Sequence, residues 1–278
     1  MTGRCEALIV DLDGVVYTGG ERCPGAAEGL QDARAAGVAL LFMTNNASRT
    51  PAQVAEHLGS VGVQAAGEEV LTSSQVGAAH LAQLRREEGL EDADPLVLAV
   101  GGPGVLDALR DEGFSAVTAA EAREAEGTDR PVWALLQGYG PQMMVRDLHE
   151  AAHAVNAGAH WVATNTDATL PTPRGPVPGN GALVAAVAHG TGATPVVVGK
   201  PHPPAYRIAL QRLGLPADRV LAVGDRLDTD IDGALEAGVP AALVLTGVST
   251  QEEADARPEE RRPQHVAATL PDLAHLWR

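Results

Sequence analysis

Four short segments of the 278-residue chain contain residue types that can handle a phosphate group. Asp11-Leu12-Asp13-Gly14 sets two carboxylates two residues apart, directly after the apolar run Ala7 to Val10. Such a pair repels itself unless a cation or a proton sits between its members. Thr44-Asn45-Asn46 brings a hydroxyl and two amides after Val38 to Met43, and Gly199-Lys200-Pro201 brings an ammonium after Val196 to Val198. Gly224-Asp225-Arg226-Leu227-Asp228-Thr229-Asp230 adds three carboxylates after Val220 to Val223. Each segment alone is an ordinary turn or cap. Together, each behind a strand-like run, they fit the cleavage of a phosphate monoester. That reaction is very slow without help, so a site for it must neutralise charge and hold a nucleophile in line. A carboxylate can take the phosphoryl group as an acyl phosphate, which water then opens. A second acid can protonate the leaving alkoxide and later activate water. A hard cation held by carboxylate oxygens fits magnesium, and a lysine with a hydroxyl–amide pair can hold the remaining oxygens.

Residues at four strand ends meet only if the strands lie side by side and parallel. The chain has the grammar for that. Ala7 to Val10 reads as a buried strand, Gly25 to Ala36 as a helix and Val38 to Met43 as a strand. Thr50-Pro51-Ala52-Gln53 announces a helix, with Thr as N-cap, Pro at the first helical position and Gln able to close a capping box. Val196 to Val198, Val220 to Val223 and Ala241 to Leu245 read as strands, and Pro203 to Leu213 and Asp228 to Ala237 as helices, with Asp228 as a cap. Strand–helix–strand repetition with short connectors implies a parallel sheet covered on both faces. Ligands of such a sheet bind beyond the carboxyl ends of its strands. A middle stretch alternates on its own account. Its strands are Leu96 to Val100, Val132 to Leu136 and Trp161 to Ala163, and its helices Val105 to Glu112 and Met143 to Ala157. The expected fold class is therefore α/β: a doubly wound parallel-sheet core, residues 1–76 and 176–278, with an inserted α/β domain at 77–175.

Composition narrows the function. The hydrophobic fraction is 45% with only 3% aromatic residues, so the core must be built from Ala, Val and Leu. Stacking platforms for single-stranded nucleic acid are accordingly scarce. The formal net charge of −16 repels nucleic acid and anionic lipid over most of the surface. Neither is expected as a partner. Cys5 and Cys23 lack metal-ligand spacing and read as reduced thiols. The first apolar run stops at Asp11, which does not suit a signal peptide, and no run of about 18 apolar residues occurs to span a membrane. The cytoplasm is the expected location.

The segments DLDGVVYTGG (11–20), TNNASRT (44–50), GKP (199–201) and VGDRLDTDI (223–231), in this order around a mid-chain insert, resemble the haloacid dehalogenase (HAD) superfamily. The likeness is to its NagD-like branch, whose α/β cap (C2 type, HAD-IIA) sits between the second and third motifs. ATNTDATLPTPRGPVPGNGALVAAV (163–187) is similar to that branch's cap-to-core junction, and the wording as a whole looks most like actinobacterial glycerol-3-phosphate phosphatases. The resemblance implies a Rossmann-like core and a Mg2+-dependent phosphatase. It makes Asp11 the nucleophile and Asp13 the general acid and base. Thr44 and Asn45 would bind the phosphoryl group with Asn46 nearby, and Lys200 would pair with the phosphate and with Asp11. Asp11, the backbone carbonyl of Asp13 and the Asp225 carboxylate would hold the metal, while Asp230 would orient Lys200 or water on the metal. An acid at Asp13 separates phosphatases and phosphomutases from the dehalogenases and transport ATPases of the superfamily.

In that branch the loop matching Asp167 to Arg174 helps set specificity, so Leu170 is the expected cap contact. Ala168, Thr169 and Thr172 beside it suit a compact, lightly polar leaving group. Glycerol 3-phosphate leads among small phosphorylated metabolites; pyridoxal phosphate, nucleotides and aryl phosphates such as p-nitrophenyl phosphate remain open. A homodimer through the cap belongs to the same expectation. A second class stays in play, a receiver-like module switched by phosphorylation of Asp11. The insert of roughly a hundred residues and the acid at Asp13 favour the enzyme. His149 and His153, one helical turn apart, read as an exposed helix face, and Gly101-Gly102-Pro103-Gly104 as a tight turn before a helix.

Overall fold

The computed structural model describes residues 5–124, 130–172 and 174–278. The chain divides into two compact units. The first takes the segments up to Thr44, Pro51–Leu71 and Lys200–Arg278, and the second takes Asn45–Thr50 and Thr72–Gly199.

The first unit is built on a six-stranded sheet. Its order is His265–Ala267, Ala241–Val244, Val220–Gly224, Ala7–Val10, Ala39–Thr44, Val70–Thr72. Pairing is parallel from His265–Ala267 through to Ala39–Thr44, which suits the inner strands Ala7–Val10, Val220–Gly224 and Ala241–Val244, apolar runs buried throughout. Val10 stands level with Phe42 on one side and Val223 on the other. The chain leaves Ala7–Val10 toward Ala39–Thr44 and returns on its opposite side with Val220–Gly224. Asp11 thus emerges where the strand order reverses, the place at which open parallel sheets bind ligands. Leu8, Val10, Phe42, Leu58, Leu221 and Trp277 pack the core of this unit.

The second unit has its own five-stranded sheet, ordered Val196–Val197, His160–Ala163, Val132–Gln137, Leu96–Val100, Ser115–Thr118 and parallel throughout. Its apolar cluster includes Leu98, Leu135 and Trp161 with Val184 and Val187 from the helix Asn180–Thr191. The units therefore divide outside the 77 and 175 expected from sequence. Position 77 falls inside the helix Ser73–Glu87, which starts at a reciprocal cap between Thr72 and Gln75. The turn-rich stretch around 171–181 marks a hairpin within the second unit, Thr169–Leu170 against Val177–Pro178. Turn residues signal a reversal of the chain, whether or not a domain ends there.

One expected strand changes sheets. Val196–Val197 pairs with His160–Ala163, so the strand before Lys200 belongs to the second unit and not to the core. The helix expected over Asp228 to Ala237 opens instead as a widened turn, Leu227–Ile231, in which Ile231 N–H reaches Arg226 O at 3.2 Å; regular helix follows only at Asp232–Glu236. Asp228 forms a bidentate pair with Arg226 at 3.1 and 2.9 Å. Among the described residues no helix is long and apolar enough to cross a membrane.

Candidate active site

At the carboxyl end of the first unit's sheet, Asp11 continues the central strand, its N–H donating to Val223 O at 2.9 Å. The Lys200 ammonium donates to Asp11 Oδ1 at 2.5 Å and to Asp230 Oδ1 at 2.6 Å, and the lysine is 5% exposed. Asp230 gets there because the widened turn after Arg226 carries it inward. Its Oδ2 accepts from Arg226 N–H at 3.1 Å, and its carbonyl accepts from the Tyr206 hydroxyl at 2.7 Å. Widened turns of this kind concentrate at functional sites. Thr44 is buried at the end of the neighbouring strand.

Asp225, 1% exposed, completes the cluster. Its Oδ2 accepts from Val248 N–H at 2.8 Å, while its Oδ1 is buried and has no hydrogen-bond partner among the described residues. One oxygen each from Asp11, Asp225 and Asp230 lies within 4.8 Å of the other two. Two carboxylates thus share one ammonium with a third beside them, and an orphaned acceptor of this kind is costly unless something binds it. An all-oxygen donor set of excess negative charge fits a hard divalent cation such as magnesium. The protonation equilibria carry the same tension. Burial pushes the Asp11 carboxyl well up, Lys200 opposes the rise, and Asp230 and Asp225 add to it. Burial works against the charge on Lys200, yet Asp11 and Asp230 hold its pKa well above the usual lysine value. Burial, with Asp230 next, raises Asp225 to about 6.

Asp13 is exposed in the turn that follows Asp11, where a carboxyl can meet a leaving group. Gly14 beside it donates its N–H to Tyr17 O at 2.8 Å. It holds a φ of +85°, and a Cβ there would stand 2.2 Å from Asp225 Oδ2, so only glycine fits.

The remaining sequence-predicted residues belong to the second unit. Asn45 is clamped there: its carbonyl accepts from Ser73 Oγ at 2.7 Å and Asn165 Nδ2 at 2.8 Å, and its Nδ2 donates to Asp167 Oδ2 at 3.3 Å. Asn46 Oδ1 accepts from Ser48 N–H and Oγ, both at 2.9 Å. Leu170 is half-buried on the short Thr169–Leu170 strand; Pro173, in the same expected specificity loop, lies outside the described residues. His149 and His153 are both exposed on the helix Val145–Asn156. Sequence reasoning missed the clamp of Ser73 and Asn165 and the whole of the loop 246–249 around Asp225. Buried Asn165 stood in the quoted junction motif, but nothing in its spacing pointed at Asn45.

Two family models match the chain: haloacid dehalogenase-like hydrolase over residues 8–115, and HAD-hydrolase-like over 197–273. D-glycerol 3-phosphate phosphatase of Mycobacterium tuberculosis is 44% identical over 268 residues, spanning 96% of this chain and 70% of that protein. The chain belongs to the haloacid dehalogenase-like hydrolases. The first HAD match contains Asp11, Asp13 and Thr44 to Asn46, and the second contains Lys200, Asp225 and Asp230. The 5′-nucleotidase YutF of Bacillus subtilis is 33% identical over 95% of this chain and 96% of its own length. Among solved structures, a glycerol phosphate phosphatase from Mycobacterium tuberculosis in complex with magnesium superposes with a TM-score of 0.85 at 41% identity, covering 97% of this chain and 76% of that one. NagD from Escherichia coli K-12 superposes at 0.82 and 29% identity, covering 97% and 98%. The HAD fold and the NagD-like branch expected from the four motifs are both met by these relatives.

Proposed function

We propose that this chain is a magnesium-dependent phosphatase that hydrolyses small phosphate monoesters through a phosphoryl group carried on Asp11. The observation that carries the reading is the cluster in which one buried lysine serves Asp11 and Asp230 while an oxygen of Asp225 beside them has no hydrogen-bond partner among the described residues. Asp11, the backbone carbonyl of Asp13 and Asp225 would hold magnesium, which when bound offsets negative charge at the nucleophile and the phosphate.

In the first step an Asp11 carboxylate oxygen attacks phosphorus and the bond to the leaving oxygen breaks. Asp13 donates its proton to that oxygen, so an alcohol departs. In the second step Asp13 takes a proton from water, the water oxygen attacks the same phosphorus, and the bond to Asp11 breaks. Inorganic phosphate leaves and both aspartates return to their starting forms. Lys200 offsets charge on Asp11 and on the transferring group, and Asp230 keeps the ammonium aimed. Thr44 and Asn45, with Asn46, would hold the non-reacting phosphate oxygens.

Glycerol 3-phosphate is the substrate this reading favours, on the strength of the mycobacterial relatives and of a loop at Ala168 to Leu170 made of small and apolar side chains. The test is phosphate release from a panel of glycerol phosphates, sugar phosphates, 5′-nucleotides, pyridoxal phosphate and p-nitrophenyl phosphate, read as kcat/KM with Mg2+ present. Glycerol 3-phosphate is expected to lead. A tenfold preference for a sugar phosphate or nucleotide would reassign the substrate, and no turnover of any ester would end the phosphatase reading.

A further inference from the structure

The loop that follows the Ala241–Val244 strand touches both halves of the carboxylate cluster in the first unit. Thr246 Oγ donates to Gly14 O at 2.6 Å. Val248 N–H donates to Asp225 Oδ2 at 2.8 Å, and Ser249 N–H to Asp225 O at 3.0 Å. Ser249 Oγ accepts from Leu227 N–H at 3.1 Å, at the start of the widened turn. Gly247 lies so close to Asp225 that a Cβ there would stand 2.0 Å from Oδ2. Asp225 Oδ2 is thereby wedged between two glycines, Gly14 and Gly247, and Oδ1 is the oxygen without a hydrogen-bond partner among the described residues.

We infer that Thr246 is a positioning residue for the cation, and that the loop 246–249 sets both the affinity for Mg2+ and the discrimination against Ca2+. This rests on the phosphatase reading above. The peptide plane that contains the Asp13 carbonyl also contains the Gly14 N–H, which Tyr17 O holds. The next plane, beginning at the Gly14 carbonyl, is held by Thr246. Gly14 is the pivot between them, and glycine is the residue with the widest backbone freedom. Within the turn, Val15 N–H also donates to Leu12 O at 3.3 Å, and Thr246 adds a side-chain tie to that second plane from a distant segment. The Thr246 tie runs into the same loop whose next two residues lock Asp225. One short loop therefore braces the Gly14 peptide and the Asp225 carboxylate together. Mg2+ demands close, near-octahedral oxygens, whereas Ca2+ accepts longer and more irregular ones. A rigid brace favours the smaller ion; a loosened one forfeits that advantage.

The experiment uses the full chain stripped of metal, with Mg2+ and Ca2+ affinities measured by calorimetry. Thr246→Val keeps the shape and removes the hydroxyl, and Thr246→Ser restores the donor. Thr246→Val is expected to weaken Mg2+ binding by about 10- to 100-fold and Ca2+ binding less, while Thr246→Ser stays within about threefold of the parent. Gly247→Ala, which displaces Asp225 directly, should weaken Mg2+ binding at least as much, and it decides the matter if Thr246→Val does not fold. Parental Mg2+ affinity and an unchanged Mg2+/Ca2+ ratio in a folded Thr246→Val, or in Gly247→Ala, overturns the inference. Asp225→Ala separates this from the larger reading: if it too binds Mg2+ like the parent, the metal assignment falls, and the brace with it. If it abolishes binding while Thr246→Val does nothing, the brace alone falls.

Discussion

The Lys200 ammonium lies 2.5 Å from Asp11 Oδ1 although 189 positions separate the two in sequence, and the same nitrogen lies 2.6 Å from Asp230 Oδ1. One buried cation serves two carboxylates. Lys200→Met should therefore leave buried Asp230 and partly buried Asp11 without their shared partner and cost the metal-free protein about 3–5 kcal/mol. Lys200→Arg should not restore activity, because a planar fork cannot replace a compact ammonium in a tight site. Urea denaturation checks the first statement; a loss below about 1 kcal/mol, the size of an exposed pair, would contradict it.

Asp11→Asn should abolish turnover of p-nitrophenyl phosphate, since an amide is too poor a nucleophile to accept the phosphoryl group. Asp13→Asn should slow it by about 10² to 10⁴, the usual contribution of a general acid. Single-turnover assays on folded variants distinguish the two. Full activity in Asp11→Asn would remove the covalent mechanism.

Chelation should silence the enzyme, and Mg2+ should restore it. The second readout is thermal: bound cation stabilises the folded state by mass action, so the melting temperature of the stripped protein should climb with Mg2+ concentration. A flat response, in a protein that still turns over, would take Asp225 out of its assigned role.

The Asp225 carboxyl is pushed up to about 6 by burial and by Asp230. In the unfolded chain it titrates near 3.9. Between these values the folded state keeps a proton that the unfolded state has lost. Asp225 thus contributes stability to the metal-free protein that is full below about pH 4 and is lost as pH rises through about 6. Denaturation midpoints of the stripped protein at pH 5 and 7.5, compared with Asp225→Asn, should show a downward slope that flattens in the variant. Mg2+ competes with the same proton, so its affinity should rise over this window. Equal slopes in the two proteins would assign the titration elsewhere.

Leu170→Ala should reorder the substrate panel more than it changes the maximum rate on p-nitrophenyl phosphate, whose leaving group needs little recognition. An unchanged ranking would move the specificity contact off the Thr169–Leu170 strand.

The cluster of Asp11, Asp225, Asp230 and Lys200 was legible because each follows a strand-like apolar run and carries chemistry in its own side chain. The brace at 246–249 was not, since two of its contacts to Asp225 are made by backbone N–H groups, which every residue except proline possesses. Asn165 escaped for a related reason. An asparagine that hydrogen-bonds a distant carbonyl looks in sequence like one that faces water. The strand before Lys200 was found, but its sheet was mistaken. Two paired valines, Val196 and Val197, do not specify which neighbour they add to, and the His160–Ala163 edge of the second unit took them.

By itself the order of residues determined the class of fold, the family and the chemical inventory, because apolar period and motif spacing are local and survive without coordinates. Tertiary structure alone decided which oxygens converge. Asp230 meets Lys200 because a widened turn swings it inward, and Asp225 presents a single oxygen because two glycines and a backbone N–H occupy the other. Those outcomes depend on close approach between segments far apart in the chain, and no pattern along the chain encodes such distances.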